Sequence, residues 1–442
     1  MIPASVRFDQ STMASLLEVD PLVQEYRAFF SLLDWSVVEH WQAQRSACYG
    51  SHGHPLTTYI KAFLLRIKEG LIYAKQLRTF LLNHPLLVIE LGFTLELDES
   101  ADYGFDVERT LPCRYWFGEK LRQLDRALLQ DLLAATVVAL KKEIPGLGEV
   151  VAFDVKHIYA WVKENNERTY VKDRYDKTKQ LAGDPDCKLG VKRSSNQEQP
   201  DGSTKEKKEY IWGYGSGVAA ATVAGYGDVV MADLTQGFNE NDVTYYRPLH
   251  NQTALALNQF PLYITADAAF DAWYVYDDAA RHGGFAAVPL NQHGHPKYTR
   301  DTDGVPLCPI GLRMHPTIEF NHTYGYRAKR FCCPLLVPEK TGAMCEHKQF
   351  VKGIGCVKDV NWEKGGQMRV TLDRDHPIYK AIYDQRTCCE RINSQAKELG
   401  IERPRVHNGH SVANLNTLIY VVINVRALRR ARSINRGLLQ IS

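Results

Sequence analysis

At residue 149 the hydrophobic pattern of this chain changes period, and that change limits the folds open to it more than any other feature. Before it, TTYIKAFLLRIKEGLIYAKQLRTFLLNHPLLVIELG and KLRQLDRALLQDLLAATVVALKKE place apolar residues three and four apart, the pattern of amphipathic helices. Asn83, His84 and Pro85 punctuate the first stretch, and Pro145 and Gly146 stop the second. Residues 1–147 are therefore expected to form an all-helical N-terminal domain. After it, GEVVAFDVKHIYAWV is rich in Val, Ile, Tyr and Trp and reads as a strand with Asp154 at its centre. YIWGYGSGVAAATVAG, DVVMADLTQG, PLYITADAAF and FAAVPL follow as strands, with NDVTYYRPLHNQTALALN and YVYDDAARHG as helices. This alternation predicts an α/β fold around a mixed sheet, its first part at residues 148–290.

Two stretches depart from the alternation. GDPDCKLGVKRSSNQEQPDGSTKEKKEY, residues 183–210, is polar and reads as a mobile loop. Residues 291–378 are too many for an ordinary loop and predict an inserted, β-rich, cysteine-containing subdomain, with GQMRVTL as a short strand. Residues 379–442 return to the core, and NLNTLIYVVINVRALRRA reads as a helix packed on it with its basic end exposed.

With 442 residues, 45% of them hydrophobic and 24% charged, the chain can bury a core in two or three domains. No run of 18 consecutive apolar residues predicts a membrane span, and MIPASVRFDQ lacks a secretory signal, so a cytoplasmic location is expected. The net charge of +3 is small, but residues 386–442 carry ten Arg or Lys against three Glu, an excess suited to a phosphate backbone. Ten cysteines without a secretion signal argue against a disulfide framework. Four of them, Cys308, Cys333, Cys345 and Cys356, sit in one turn-rich stretch and would suffice for a tetrahedral zinc, with scattered buried cysteines as the alternative. His52, His54, His293 and His295 form two HGH pairs that read as surface turns.

Three acids stand out by position. Asp154 lies inside the first strand, Asp267 ends a later one, and Glu390 is on the helix after the insertion. A carboxylate in an apolar strand is costly to bury unless paired or bound to metal. Convergence of the three would hold two divalent cations, and Mg²⁺ suits carboxylate oxygen. Asp233, Asp271 and Glu319 compete for these roles, Asp267 could instead cap the following helix at the start of AFDAWYVYDD, and spacing does not rank them. On a helix, Tyr383, Arg386, Glu390 and Lys397 share roughly one face.

These residues carry a resemblance. Tyr383, Arg386, Glu390 and Lys397, separated by two, three and six residues, match the signature of transposases of the insertion-sequence IS4 group, in the DDE superfamily. VVAFDVKH, YITADAAFDAWYVYDDAARHGGFAAVPLNQ and RTCCERINSQAKELGIERPRVHNG resemble the three blocks around its acidic triad. LRTFLLNHPLLVIELGF and LPCRYWFGEKLRQL resemble the front domain, and the likeness covers about residues 50–430. The small residue and glycine usual near the second aspartate are replaced here by TADAAFD, and the insertion's cysteines are not part of the signature.

The resemblance implies an RNase H-like core interrupted by a largely β insertion before the third acid. It also implies a helical DNA-binding front domain and a homodimer in a synaptic complex. Asp154, Asp267 and Glu390 would be the catalytic metal ligands, for Mg²⁺ or Mn²⁺ in its place, and Tyr383, Arg386 and Lys397 would bind DNA. The implied partners are double-stranded DNA, the element's terminal inverted repeats and target DNA, met in the cytoplasm at the nucleoid. The implied activity is hydrolysis at element ends followed by strand transfer. Two other readings stand beside it: a catalytically silent, transposase-derived DNA-binding or regulatory protein, and an RNase H-like nuclease without strand transfer.

Overall fold

A computed structural model describes residues 10–46, 53–198, 204–291 and 299–434. His52, His293, His295 and Arg436 lie outside the described residues. In chain order the helices are α1 (Gln10–Val19), α2 (Pro21–Phe30), α3 (Ser36–Ser46), α4 (Leu56–Lys68), α5 (Ala74–Asn83), α6 (Pro85–Leu91), α7 (Val107–Thr110), α8 (Arg114–Gln123) and α9 (Arg126–Glu143). Then come α10 (Val243–Leu257), α11 (Trp273–Arg281), α12 (Lys348–Val351), α13 (Lys364–Thr371), α14 (Pro377–Asp384), α15 (Thr387–Glu398) and α16 (Gly409–Ser433). The strands are β1 (Val150–Tyr159), β2 (Lys188–Glu198), β3 (Thr204–Val223), β4 (Gly227–Gly237), β5 (Tyr263–Ala266), β6 (Ala286–Ala287), β7 (His315–Asn321), β8 (Arg327–Cys332) and β9 (Val357–Asn361). The protein is thus a mixed α/β fold. It divides into two compact units, one of Met1–Gly148, Asp154–Gln259 and Thr387–Ser442, the other of Glu149–Phe153 and Phe260–Arg386.

In the first unit the helices begin where capping chemistry allows. Asp20 accepts a hydrogen bond from Val23 N at 2.9 Å with Pro21 at the first helical position of α2, and Asp125 accepts from Ala127 N at the start of α9. Pro85 separates α5 from α6, as the sequence predicts. The apolar stripe of α9 is buried at Leu128, Leu129, Leu132, Leu133, Val137 and Leu140.

Helix α16 is buried almost all round and is the core helix of this unit. By length and composition it is long enough to cross a membrane, yet its most apolar window is 94% buried inside the protein. Burial obliges its polar side chains to find partners. Asn424 donates to Val230 O at 2.7 Å and Thr136 Oγ1 at 2.8 Å, and accepts from Val230 N at 2.9 Å. That backbone needs it, because the β3–β4 register shifts between Ala219 and Ala220, where Val230 pairs. Asn414 donates to Leu121 O and Leu124 O, carbonyls at the end of α8. The basic end is exposed at Arg426, Arg429, Arg430 and Arg432, as expected.

β3 is the long strand of this unit. Its first part pairs antiparallel with β2 and its second with β4, and it also lies beside β1. The β2–β3 hairpin overturns the mobile loop expected at 183–210. The strands are polar, so no apolar alternation marks them, but the backbone ladder runs from Lys188↔Gly213 to Glu198↔Thr204. Gly213 is required there: a Cβ would stand 1.9 Å from Ile158 O.

In the second unit β5 pairs in parallel with β1 (Val150↔Tyr263 to Phe153↔Ala266) and with β6. β7, β8 and β9 form a separate antiparallel sheet. GQMRVTL, expected as a strand, lies in helix α13. Gly365 lets α13 approach α11, since a Cβ would fall 2.2 Å from Asp277 N, and Gly365 N donates to Asp277 Oδ1 at 3.1 Å. Local sequence carries no sign of that long-range contact.

Candidate active site

In the first unit Asp154 follows the buried run Val151–Phe153 on β1 and is itself half-buried. Its Oδ2 accepts a hydrogen bond from Asn393 Nδ2 at 2.9 Å. Asn393 is one turn beyond Glu390 on α15, so the two share a helix face. That helix is held by a buried stripe of Cys388, Cys389, Ile392 and Ala396, which leaves Glu390 exposed in the first turn and Lys397 in the last. Each charge sits at the end of the helix dipole that favours it. Arg391 pins the same helix to β4 through a two-pronged bond to the buried Asp228 carboxylate, at 2.8 and 2.6 Å.

Two residues after Asp154, on the same side of the strand, Lys156 lies 3.8 Å from Glu402 Oε2, and Lys397 reaches the same oxygen at 3.3 Å. Burial lowers the pKa of Lys156, with Glu402 opposing the shift. Burial, aided by Lys192 and Lys156, pushes His157 down to about 4, so its imidazole is neutral at pH 7. Asn393 Oδ1 is buried without a hydrogen-bond partner among the described residues. An orphan acceptor beside a carboxylate is the kind of atom that a hydrated cation or its water satisfies.

The second unit carries Asp267, Tyr383 and Arg386; Tyr383 is on α14 and Arg386 lies between α14 and α15, so the single helix face expected for Tyr383, Arg386, Glu390 and Lys397 is interrupted after Tyr383. Asp267 Oδ1 accepts from Ala269 N at 2.9 Å and caps the single 3₁₀ turn Ala268–Phe270. It therefore caps this short turn and not α11, whose N-cap is Ala272. The carbonyl of Tyr383 on α14 accepts from Thr265 Oγ1 at 3.4 Å, which ties this helix to β5. Tyr379 stacks on Tyr383 at 6.0 Å, and the Arg386 guanidinium lies 5.9 Å from the Tyr383 ring.

The rival acids are committed elsewhere. Asp271, its side chain fully buried, is gripped by Arg369 at 2.7 and 2.6 Å and also accepts from Tyr276 and Asn291 N. Glu319 pairs with Arg327 and Lys329 within the β7–β8 ladder. Asp233 is buried on β4, accepting from Gln130 Nε2 at 2.9 Å and Thr417 Oγ1 at 3.0 Å.

Burial raises the Asp233 carboxyl to about 6, against the pull of Arg126, Gln130 and Thr417. A raised carboxyl pKa favours the folded state while protonated, so this contribution is full below pH 3.8 and lost as pH rises through about 6. Asp233→Asn is therefore expected to stabilise the protein at pH 8 by up to about 3 kcal/mol, with the difference shrinking below pH 4. Urea denaturation at both pH values measures it, and equal effects at the two would refute it.

Cys308, Cys333 and Cys356 are buried in one cluster with Met314, Phe331 and Val360, while Cys345 is half-buried. Burial pushes the Cys356 thiol up, and the neighbouring thiols Cys333, Cys308 and Cys345 add to the rise. Cys356 Sγ is 3.4 Å from His347 Nδ1. No disulfide joins any of the described cysteines. Among the described residues no three His, Cys, Asp or Glu side chains form a group that could hold a metal ion. His54 is not on an open turn: its ring is half-buried, edge-on to Phe93 at 4.8 Å.

The sequence reading missed Asn393, Lys156 and Arg391. Asn393 was recoverable, since it lies on the Glu390 face, but its partner across 239 residues was not. A scan against protein-family models finds no model that matches the chain, and a search of curated proteins finds no match.

Proposed function

We propose that this chain is a DNA transposase. It hydrolyses DNA at element ends in the presence of divalent metal and joins the exposed 3′-hydroxyl to target DNA by in-line attack. The observation that carries the reading is the Asn393–Asp154 hydrogen bond, because it sets the helix of Glu390 against the strand of Asp154. Parallel β1 and β5 add support: their last paired residues are Phe153 and Ala266, and an aspartate follows each in the chain. Parallel β1, β5 and β6 with an antiparallel β3–β4 arm also support an RNase H-like core.

Asp154, Asp267 and Glu390 would hold Mg²⁺, or Mn²⁺ in its place. Carboxylate oxygen and the orphan oxygen of Asn393 are the donor type that such hard, partly hydrated ions take, although the described side chains form no ready-made group of three. Two bound ions supply activation of the attacking oxygen and stabilisation of the leaving one. Asn393 fixes the orientation of the Asp154 carboxylate. Lys397 and Arg386 offer positive charge to backbone phosphates, and Tyr383 a ring and hydroxyl to the DNA end. The partners are terminal repeats and target duplex, engaged by a homodimer at the nucleoid. Zinc at Cys308, Cys333, Cys345 and Cys356 is supported by the burial of three of these thiols in one cluster, although the described side chains form no ready-made metal group.

The test uses duplex DNA carrying the sequences that flank the protein's own coding region, with a supercoiled plasmid as target. In MgCl₂ the purified protein is expected to nick the duplex and join it to the plasmid, and EDTA is expected to stop both. Cutting without joining would replace the reading by a nuclease, and binding without cutting by a silent DNA-binding protein. Metal analysis of the same preparation settles zinc at one per chain or none.

A further inference from the structure

Beyond the carboxylates, the first unit contains a cavity of about 950 Å³ bounded by the end of β1, the loop after it, the β2–β3 hairpin and the segment after α15. Its walls are aromatic. Trp161 stacks on His407 at 4.7 Å and 12°, and Tyr175 meets Tyr210 at 5.2 Å. Trp161, Tyr175 and Tyr210 are 38%, 53% and 45% exposed, so much of their surface lies outside the core. Its charge is positive: six Lys or Arg and three Glu line it. Of the three acids, Glu164 is buried and Glu209 is taken up by the Tyr159 hydroxyl at 2.7 Å. Arg403 lies 4.1 Å from the ring centroid of Tyr159, and Arg405 5.5 Å from that of Trp161.

The cavity is also built in advance. The Asn165 side chain donates to Ala160 O and Trp212 O and accepts from Trp212 N, clamping the loop to β3. Tyr159 N bonds Glu402 O, which fixes the chain just ahead of Arg403. A ligand entering here pays little to order the site.

Flat aromatic faces interleaved with guanidinium groups match unstacked bases with their phosphates, whereas bases inside a duplex have no free face to offer. We propose that this cavity binds an unpaired single-stranded segment of DNA. Tyr159 is five residues beyond Asp154 on the same strand, a distance of roughly 17 Å at ~3.3 Å per residue. Stacked nucleotides about 3.4 Å apart span it with about five residues, so the segment bound is the strand lying about five nucleotides from the scissile phosphate. The choice of DNA rests on the transposase reading, and the test separates the two.

Fluorescein-labelled dT₁₅, rU₁₅ and the flanking-sequence duplex are titrated into the full chain by anisotropy. Wild type is expected to bind dT₁₅ with a salt-dependent affinity. Tyr210→Ala and Arg405→Ala, both at the exposed rim, are each expected to weaken that binding roughly 5- to 150-fold while leaving the duplex affinity within about twofold. Trp161→Ala, examined alongside with circular dichroism to check folding, is expected to do the same. Unchanged dT₁₅ binding in the rim variants, or binding of rU₁₅ alone, overturns the proposal even where duplex cleavage is intact. Rim-dependent dT₁₅ binding without any duplex cleavage upholds the cavity and overturns the transposase reading instead.

Discussion

Glu390→Gln is expected to lower strand cleavage about 10³-fold while leaving the affinity for duplex ends within about twofold. The magnitude is that of removing one group that stabilises charge developing in a transition state. The substitution keeps the shape of the side chain and removes only the charge that would bind metal. Glu390 is exposed, so packing is unaffected. Loss of the favourable interaction of its charge with the start of α15 is expected to cost the fold about 0.3–1 kcal/mol. Cleavage under single-turnover conditions and thermal unfolding measure the two effects. Normal cleavage by the variant would remove Glu390 from the site. A parallel loss of duplex affinity would recast it as a residue that shapes the DNA-binding surface.

Asn424→Ala is the substitution expected to damage the fold most. It strips partners from Val230 N, Val230 O and Thr136 Oγ1, all on buried residues. An unsatisfied buried group costs about 1–3 kcal/mol, and relaxation shares the loss among these three, so a total of about 2–4 kcal/mol is expected. The urea midpoint should fall with the slope unchanged. A change under 0.5 kcal/mol would show that the β3–β4 irregularity holds itself without α16.

Much of this fold is legible locally. The three-and-four spacing of residues 120–143 gives α9, and Asp125 and Pro85 mark helix starts by chemistry that acts within one turn. Val150–Phe153 reads as a strand because its residues suit a pleated surface buried on both sides. Two segments were not legible. The β2–β3 hairpin is held by backbone bonds that polar side chains do not advertise, and α13 takes its conformation beside α11 through Gly365.

The candidate site divides along the same line. The sequence by itself marked the candidates for the chemistry: Asp154 and Asp267 at strand positions, and Glu390 with Lys397 on one helix face, because periods of two and 3.6 act over a few residues. Tertiary structure alone decided which side chains these candidates meet and which rival acids are committed elsewhere. It sets Asn393 on Asp154 and both Lys156 and Lys397 on Glu402, and it locks Asp271 to Arg369 and buries Asp233. Except for Lys397 with Glu402, these pairings join residues far apart in the chain, where no local pattern reaches. The buried ones among them owe their geometry to the cost of leaving polar groups dry and unpaired.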